Sequence, residues 1–328
     1  MARTGFTVLK SSPWPIYVSL GVLGVVSSFI CAVHGGMMFY SLLSALFSWV
    51  FLMGSLFGWW MDMIYEGNFK GHYTSRVKQN LWWGFIMFVV SEVFFFGSFF
   101  ASWYYYGVGE KSQVLLGSWP PVGISAMDPW KIPSVNTVLL LSSGVSVTWC
   151  TKCVECMSKF SPNNYNFFLF KEQLEMDMAK VGKKVKKGRN VKENVQNILK
   201  EKKILMGKYF MKKKDLNSLR NQALVSMFLS LGLGSIFMYL QSLEYRWSSI
   251  CISDSTFGGC FFILTGFHGM HVILGICFLS VCWVRIYYNH FSYRRSYVGL
   301  KCAVLYWHFV DVVWIGVFIS VYLWPYFF

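Results

Sequence analysis

The chain has 328 residues, of which 55% are hydrophobic, 20% are aromatic and only 14% are charged. A soluble domain is usually about one-quarter charged, so this composition excludes a soluble globular protein and predicts an integral membrane protein with several spans. The formal net charge is +15. The basic residues are not interleaved with aromatic ones and no recognition fold accompanies them, so the charge does not indicate a nucleic-acid partner.

Seven stretches of the sequence are long and apolar enough to cross a bilayer, which takes roughly 20 residues per helix. They are, in chain order, Ile16–Val33, Met37–Trp60, Leu81–Gly109, Ser134–Thr151, Asn221–Ser242, Ser255–Val284 and Cys302–Phe328. The sequence therefore predicts an all-α membrane protein with four transmembrane helices in residues 1–157 and three in residues 216–328.

The distribution of basic residues predicts how the helices are oriented. With seven spans, the N-terminus shares one side of the membrane with the loops at 61–80, 152–220 and 285–301. All but three of the 30 Lys and Arg residues lie on that side; the exceptions are Lys111, Lys131 and Arg246. The positive-inside rule places the N-terminus in the matrix or the cytoplasm.

Residues 158–215 differ in composition from the rest of the chain. Between Lys159 and Arg220 there are 17 basic and six acidic residues, and runs such as K-K-V-K-K at 183–187 cannot form a buried core. This segment is predicted to be a solvated, partly helical insertion. Alternatively, it contacts anionic lipid head groups or an acidic partner subunit.

Two carboxylates, Glu92 and Asp311, lie within the predicted spans. Ionisable residues in a membrane usually face protein or water and often mark function. We expect Glu92 to be protonated at neutral pH, because desolvation disfavours the charged form. A proton relay or coupling site is one interpretation of Glu92, and a polar group that packs helices together is the other.

Histidines and cysteines in the apolar segments raise the question of a metal or haem site. His268 and His271 are three residues apart in G-F-H-G-M-H, and Cys150, Cys153 and Cys156 form one stripe at a helix end. Bis-histidine haem needs ligands on separate helices, and the expected fourth position of an iron–sulfur run is Phe160. Helix packing is therefore the favoured interpretation of both groups, with no metal site and no catalytic centre predicted.

Short motifs along the whole chain resemble the third core subunit of cytochrome c oxidase. They include S-P-W-P (12–15), G-H-Y-T (71–74), S-E-V-F-F-F (91–96), W-P-P-V-G-I (119–124), L-E-Y (243–245), T-G-F-H-G-M-H-V (265–272) and Y-W-H-F-V-D-V-V-W (306–314). Each is weak alone, whereas their order along seven spans is specific. The resemblance covers the chain from residue 12 to the C-terminus except for the insertion.

The resemblance implies a subunit without haem or copper of its own. Its first two helices and its last five form two groups around a V-shaped cleft that holds structural phospholipids. The partners implied are the catalytic subunit I and the copper-A subunit II, which carry haem a and copper, and accessory subunits that contact the 158–215 insertion. The implied location is the mitochondrial inner membrane with the N-terminus in the matrix, or alternatively a bacterial plasma membrane.

The resemblance also implies roles for individual residues. Glu92 matches the buried, carbodiimide-reactive carboxylate of the family, and His308 with Asp311 is expected to form a buried packing pair. His268 and His271 are expected to be further buried polar groups that join helices. The positions that match lipid-contacting residues are Trp60, Glu66, His72, Arg285 and His290.

Three positions depart from the family pattern. Thr151 and Lys152 replace a histidine pair, and Lys301 replaces an acid near the start of the last helix. The competing hypothesis is a standalone multi-pass transporter or channel, which would predict internal repeats, broken helices or rings of charge. No repeat is visible in the sequence, and the apolar spans are continuous.

Overall fold

The computed structural model describes residues 11–34, 38–109, 119–160, 213–291 and 297–327. Its helices are α1 (Trp14–Val33), α2 (Met38–Asn68), α3 (Ser75–Val108), α4 (Ile132–Phe160), α5 (Lys213–Trp247), α6 (Thr256–Tyr287) and α7 (Val298–Val317), continued by a π-helical segment (Phe318–Leu323) and a last turn, α8 (Trp324–Phe327). Within the described residues, seven helices are long and apolar enough to cross a membrane. The predicted all-α fold with seven spans is confirmed.

Several helices extend beyond the predicted spans. Helix α2 continues to Asn68, α3 begins at Ser75, and α5 continues to Trp247. Helical backbone satisfies its own hydrogen bonds, so a helix need not end where its side chains become polar. The predicted 158–215 insertion overlaps the end of α4 at Phe160 and the start of α5 at Lys213, and its remainder lies outside the described residues.

The chain divides into two compact units, Met1–Leu81 and Trp82–Phe328. The first contains α1, α2 and the start of α3, and the second contains the other helices. This division agrees with the expected grouping of the first two helices apart from the last five. The lipid-holding cleft between the groups stays a prediction.

Small residues and one tryptophan hold α1 against α2. Ser28 Oγ and Ser44 Oγ lie 2.9 Å apart across the pair, and the Trp14 ring covers Gly58, where an added Cβ would lie 2.5 Å from it. The Trp14 Nε1–H donates to Asp62 Oδ2 at 2.6 Å. Close approach through small residues, with hydrogen bonds between helices, is how membrane helices associate.

Helix α7 forms the centre of the second unit. Of its most apolar 18 residues, 61% are buried, the largest share among the described spans. Trp307 is fully buried and donates its Nε1–H to Ser143 Oγ of α4 at 2.9 Å. Its ring also lies against Gly234 of α5 and Gly275 of α6, where an added Cβ would be 2.8 Å from ring carbons. Trp307 thus joins four helices.

The π-helical segment ties the end of the last span to α3. The Trp103 Nε1–H donates to the backbone oxygen of Ser320 at 3.0 Å, and Tyr104 Oη lies 2.8 Å from Ser320 Oγ. A π-helical turn shifts the backbone hydrogen-bond pattern by one residue. Here a carbonyl within that turn accepts from a neighbouring helix, an arrangement that the apolar sequence F-I-S-V-Y-L does not reveal.

Candidate functional site

The first acid–histidine pair joins α3 to α6. His271 Nε2 lies 2.9 Å from Glu92 Oε2, and the exposed fractions of the two side chains are 7% and 21% respectively. The imidazole lies among aromatic rings, with its centroid 4.9 Å from that of Phe96 and 6.3 Å from that of Tyr306. The sequence identified both residues as intramembrane polar groups, and the structure brings them together.

The His271 ring has one polar contact on each side. His271 Nδ1 lies 2.7 Å from the backbone oxygen of Phe267. A carbonyl can only accept, so Nδ1 must carry a proton. The 2.9 Å contact on the other side of the ring then needs a second proton, held by the Glu92 carboxyl or by His271 Nε2. These two contacts fix the orientation of the imidazole between α3 and α6.

The second acid–histidine pair lies on α7 and faces α4. His308 Nδ1 is 3.5 Å from Asp311 Oδ2, and His308 Nε2 is 3.1 Å from Thr148 Oγ1. The Thr148 hydroxyl also donates to the backbone oxygen of Gly144 at 2.9 Å. These groups form a polar row of hydroxyl, imidazole and carboxyl within an apolar surface.

The expectation that both members of this pair are buried is wrong for His308. The Asp311 side chain is 7% exposed, whereas the His308 side chain is 43% exposed. Residue 308 is one helical turn from Asp311 but is rotated toward the outer edge of the α4–α7 contact. The sequence motif gives the spacing of the pair, but not the rotation of the helix about its axis.

Gly144 allows Asp311 to approach α4, and its replacement by alanine is expected to destabilise the protein. An added Cβ would lie 2.7 Å from Asp311 Oδ2, so the carboxylate or the helix must move. Overpacking of this kind lowers the free energy of unfolding by about 1–3 kcal/mol. Gly232→Ala is the matched control, since nothing lies within 4 Å of its added Cβ. The thermal unfolding midpoint of the purified protein should fall for Gly144→Ala only; equal midpoints would contradict this packing.

The remaining intramembrane histidine, His268, is buried against side chains of α5 and α7. It is 1% exposed, its Nε2 lies 3.3 Å from the backbone oxygen of Val310, and its ring contacts Phe237 and Trp314. In the described part of the chain, no three His, Cys, Asp or Glu side chains come together in a way that could hold a metal ion. Of the cysteine stripe, Cys150 and Cys153 are buried and Cys156 is exposed.

In addition to Asp311 there is a second buried carboxylate, Glu244, which the sequence interpretation missed. Tyr322 Oη donates to Glu244 Oε2 at 3.2 Å, joining α5 to the π-helical segment. Glu244 is 6% exposed. The predicted fifth span ended at Ser242, so Glu244 was not counted as intramembrane. The L-E-Y motif and the apolar residues around it were the available signals.

The positions expected to contact lipid lie in two regions, one in each compact unit. In the first unit Trp60 is 54% exposed, and the backbone N–H of His72 donates to the oxygen of Glu66 at 3.2 Å. In the second unit the N–H of His290 donates to the oxygen of Arg285 at 2.9 Å.

Arg285 carries the positive charge of the second region. Its guanidinium lies 4.5 Å from the centroid of the Phe291 ring. Partial burial, and secondarily the charge of Arg285, lower the pKa of His290. The imidazole therefore loses its proton more readily than a free histidine does.

Comparison with known proteins decides the family. The family model described as cytochrome c oxidase subunit III matches residues 4–161 and 210–326. The chain belongs to the cytochrome c oxidase subunit III family. The part of the chain that this subunit III model leaves unmatched, residues 162–209, falls inside the predicted insertion.

Individual subunit III relatives match along nearly their whole length. Cytochrome c oxidase subunit 3 of Arabidopsis thaliana is 33% identical over 325 residues, covering 98% of this chain and 97% of the relative. The protein of the same name from Triticum aestivum is 33% identical over 322 residues, with the same coverage. That from Canis lupus is 34% identical over 319 residues, covering 97% of each chain. The resemblance inferred from motifs is confirmed.

Proposed function

We propose that this chain is a non-catalytic core subunit of the cytochrome c oxidase complex that binds phospholipid, stabilises the catalytic subunit and aids proton uptake. The observation that carries the proposal is the family match. It lies on both sides of the insertion and includes all seven transmembrane helices. In this proposal the complex reduces oxygen and pumps protons, while haem a and copper reside in subunits I and II. The compartment proposed is the mitochondrial inner membrane, with the N-terminus in the matrix.

The geometry of the intramembrane histidines supports a chain without a redox centre of its own. Both ring nitrogens of His271 and both of His308 are engaged by neighbouring protein groups. His268 has a ring nitrogen near the Val310 carbonyl in a fully packed site. Axial haem ligation needs a ring nitrogen free to bind iron, so these histidines serve better as polar helix contacts.

Affinity isolation of the full chain from mild-detergent extracts tests the proposal. Haem a, copper and the two larger core subunits should co-purify with it in fixed ratio. A transporter or channel is the competing function, and it would be supported by solute or ion flux through liposomes that contain the isolated chain alone. Isolation of the chain without haem-bearing partners would refute membership of a working oxidase.

Replacing Arg285 by alanine is expected to weaken lipid binding without abolishing the chemistry. The change removes a charge-assisted contact to a head-group phosphate, worth about 1.5–3 kcal/mol. The complex should start at a near-normal rate, carry less phospholipid and lose activity progressively during turnover. Arg246→Ala is the control. Arg246 lies near the end of α5 and Arg285 near the end of α6, so the proposed topology places them on opposite sides of the membrane. Immediate loss of activity with full lipid retention would indicate a direct role for Arg285 in the reaction.

We expect the 158–215 insertion to face the matrix and to be unnecessary for helix packing. The free energy of closing a loop rises only slowly with its length, so a long surface insertion is tolerable. Protease added to inside-out vesicles should cut near the 183–187 lysines and leave the bundle assembled. Cleavage only from the other face would overturn the proposed topology.

A further inference from the structure

Four polar side chains are buried together at the end of the second unit where α4 begins and α5 ends. Asn136 Nδ2 of α4 donates to Gln241 Oε1 of α5 at 3.4 Å. Tyr322 Oη of the π-helical segment donates to Glu244 Oε2 of α5 at 3.2 Å. We call these four residues, Asn136, Gln241, Glu244 and Tyr322, the outer polar cluster.

Two amide atoms of the outer polar cluster, Asn136 Oδ1 and Gln241 Nε2, have no hydrogen-bond partner among the described residues. The oxygen can only accept a hydrogen bond and the nitrogen can only donate one. Turning both amides over does not remove the deficit, because one donor and one acceptor are then left unpaired in their place. A buried polar atom without a partner is destabilising, so this site favours a ligand that both donates and accepts.

The Gln241 amide lies close to polar groups to which it is not bonded. The Glu244 carboxyl and the phenols of Tyr245 and Tyr322 adjoin its side chain, whereas Gln241 Nε2 has no partner at hydrogen-bond distance and angle. The 3.4 Å contact with Asn136 is itself longer than the usual N–H···O range of about 2.7–3.2 Å. Polar groups that face one another just beyond hydrogen-bond distance are often bridged by water.

The outer polar cluster lies near the edge of the hydrocarbon layer. The spans Ile132–Ser158 and Val298–Phe327 rise about 1.5 Å per residue. Centring each span on the bilayer places Asn136 about 13 Å and Tyr322 about 14 Å from the midplane. The hydrocarbon extends about 15 Å to each side. Water from the head-group region can therefore reach the cluster without crossing the membrane interior.

The chemistry of the outer polar cluster favours water over other small ligands. Its four members include one carboxylate and no cation, so an anion would find no counter-charge. A metal ion would need several charged or imidazole ligands, and no three His, Cys, Asp or Glu side chains come together in that way in the described part of the chain. An acyl chain cannot form hydrogen bonds, whereas a buried water typically forms about three with otherwise unpaired polar groups.

We propose that the outer polar cluster binds at least one internal water molecule, which pairs with the free amide atoms of Asn136 and Gln241 and links them to the Glu244–Tyr322 contact. This water completes a hydrogen-bonded network that joins α4, α5 and the end of the last span. The inference concerns the interior of this chain and does not depend on the proposed oxidase function.

A cryo-EM map that shows ordered waters in the purified assembly tests the site directly. We expect a water peak within about 3.2 Å of an amide atom of both Asn136 and Gln241. A map with ordered waters elsewhere in the buried bundle but none at this position would overturn the inference.

Radiolytic hydroxyl labelling gives a second test, because an internal water generates radicals at a site that bulk water does not enter. Phe261 and Phe96 are almost equally buried, at 1% and 2% exposed, but only Phe261 adjoins the cluster, with its ring centroid 5.8 Å from that of Tyr322. Phe261 should be labelled several-fold more than Phe96, and the double variant Asn136→Leu, Gln241→Met should abolish the difference. Equal labelling in the unmodified protein, or a difference that persists in the double variant, would contradict a water at this site. If the double variant does not assemble, the comparison within the unmodified protein still decides.

Discussion

Replacing Trp307 by alanine is expected to lower the stability of the helical bundle more than any other single truncation in the second unit. Trp→Ala changes in cores cost about 3–5 kcal/mol. Lipid solvates apolar surface as well as a protein core does, so the lower end of that range, about 3 kcal/mol, applies here. The loss comes from packing against Gly234 and Gly275 and from the hydrogen bond to Ser143.

Two comparisons separate this effect from a general effect of losing a tryptophan. Trp307→Phe retains part of the ring packing and should lose less stability. Trp247→Ala removes a side chain that is 73% exposed and should change the thermal unfolding midpoint little. If Trp307→Ala and Trp247→Ala unfold at the same temperature, α7 is not the centre of the bundle.

Replacing His271 by leucine is the second change with a large expected effect. It leaves Glu92 in an apolar site without its 2.9 Å partner. Removing one partner of a buried pair lowers the free energy of unfolding by about 3–5 kcal/mol. Because Glu92 is 21% exposed, we expect a smaller loss here, about 2–3 kcal/mol. The measurement is again the thermal unfolding midpoint of the purified complex.

Companion variants distinguish the Glu92–His271 hydrogen bond from simple packing. The double variant Glu92→Leu, His271→Leu should recover much of the lost stability, since apolar residues can replace a buried pair at little net cost. Glu92→Gln should retain the hydrogen bond and change stability little. In the unmodified protein, infrared spectroscopy should detect a protonated carboxyl that Glu92→Gln removes if the shared proton resides on Glu92. A double variant that is less stable than His271→Leu would refute the pairing.

Hydropathy and charge were sufficient to predict the spans, because the bilayer requires long apolar helices whatever they pack against. The predicted ends of α1 and α6 lie within about three residues of the observed ones, whereas α4 continues beyond its predicted end at Thr151 to Phe160. The polar tails of α2 and α5 were missed, since a helix can continue beyond the hydrocarbon. That omission removed Glu244 from the set of intramembrane carboxylates.

Contacts between distant parts of the chain were not predictable from composition and spacing. Glu92 and His271 are 179 positions apart, and nothing in either motif specifies that they meet. The outward rotation of His308 depends on how α7 packs against α4, which Gly144 permits. The motifs identified candidate residues, whereas three-dimensional packing determines which of them are partners.

In the function proposed above, this chain supports the oxidase without carrying its chemistry. The most direct test is the time course of oxygen consumption by the purified complex with the chain present and after its selective removal. We expect unchanged haem a content and a near-normal initial rate in both preparations, with faster loss of activity during turnover when the chain is absent. Loss of haem together with the chain, or an initial rate near zero without it, would refute a supporting role for this chain.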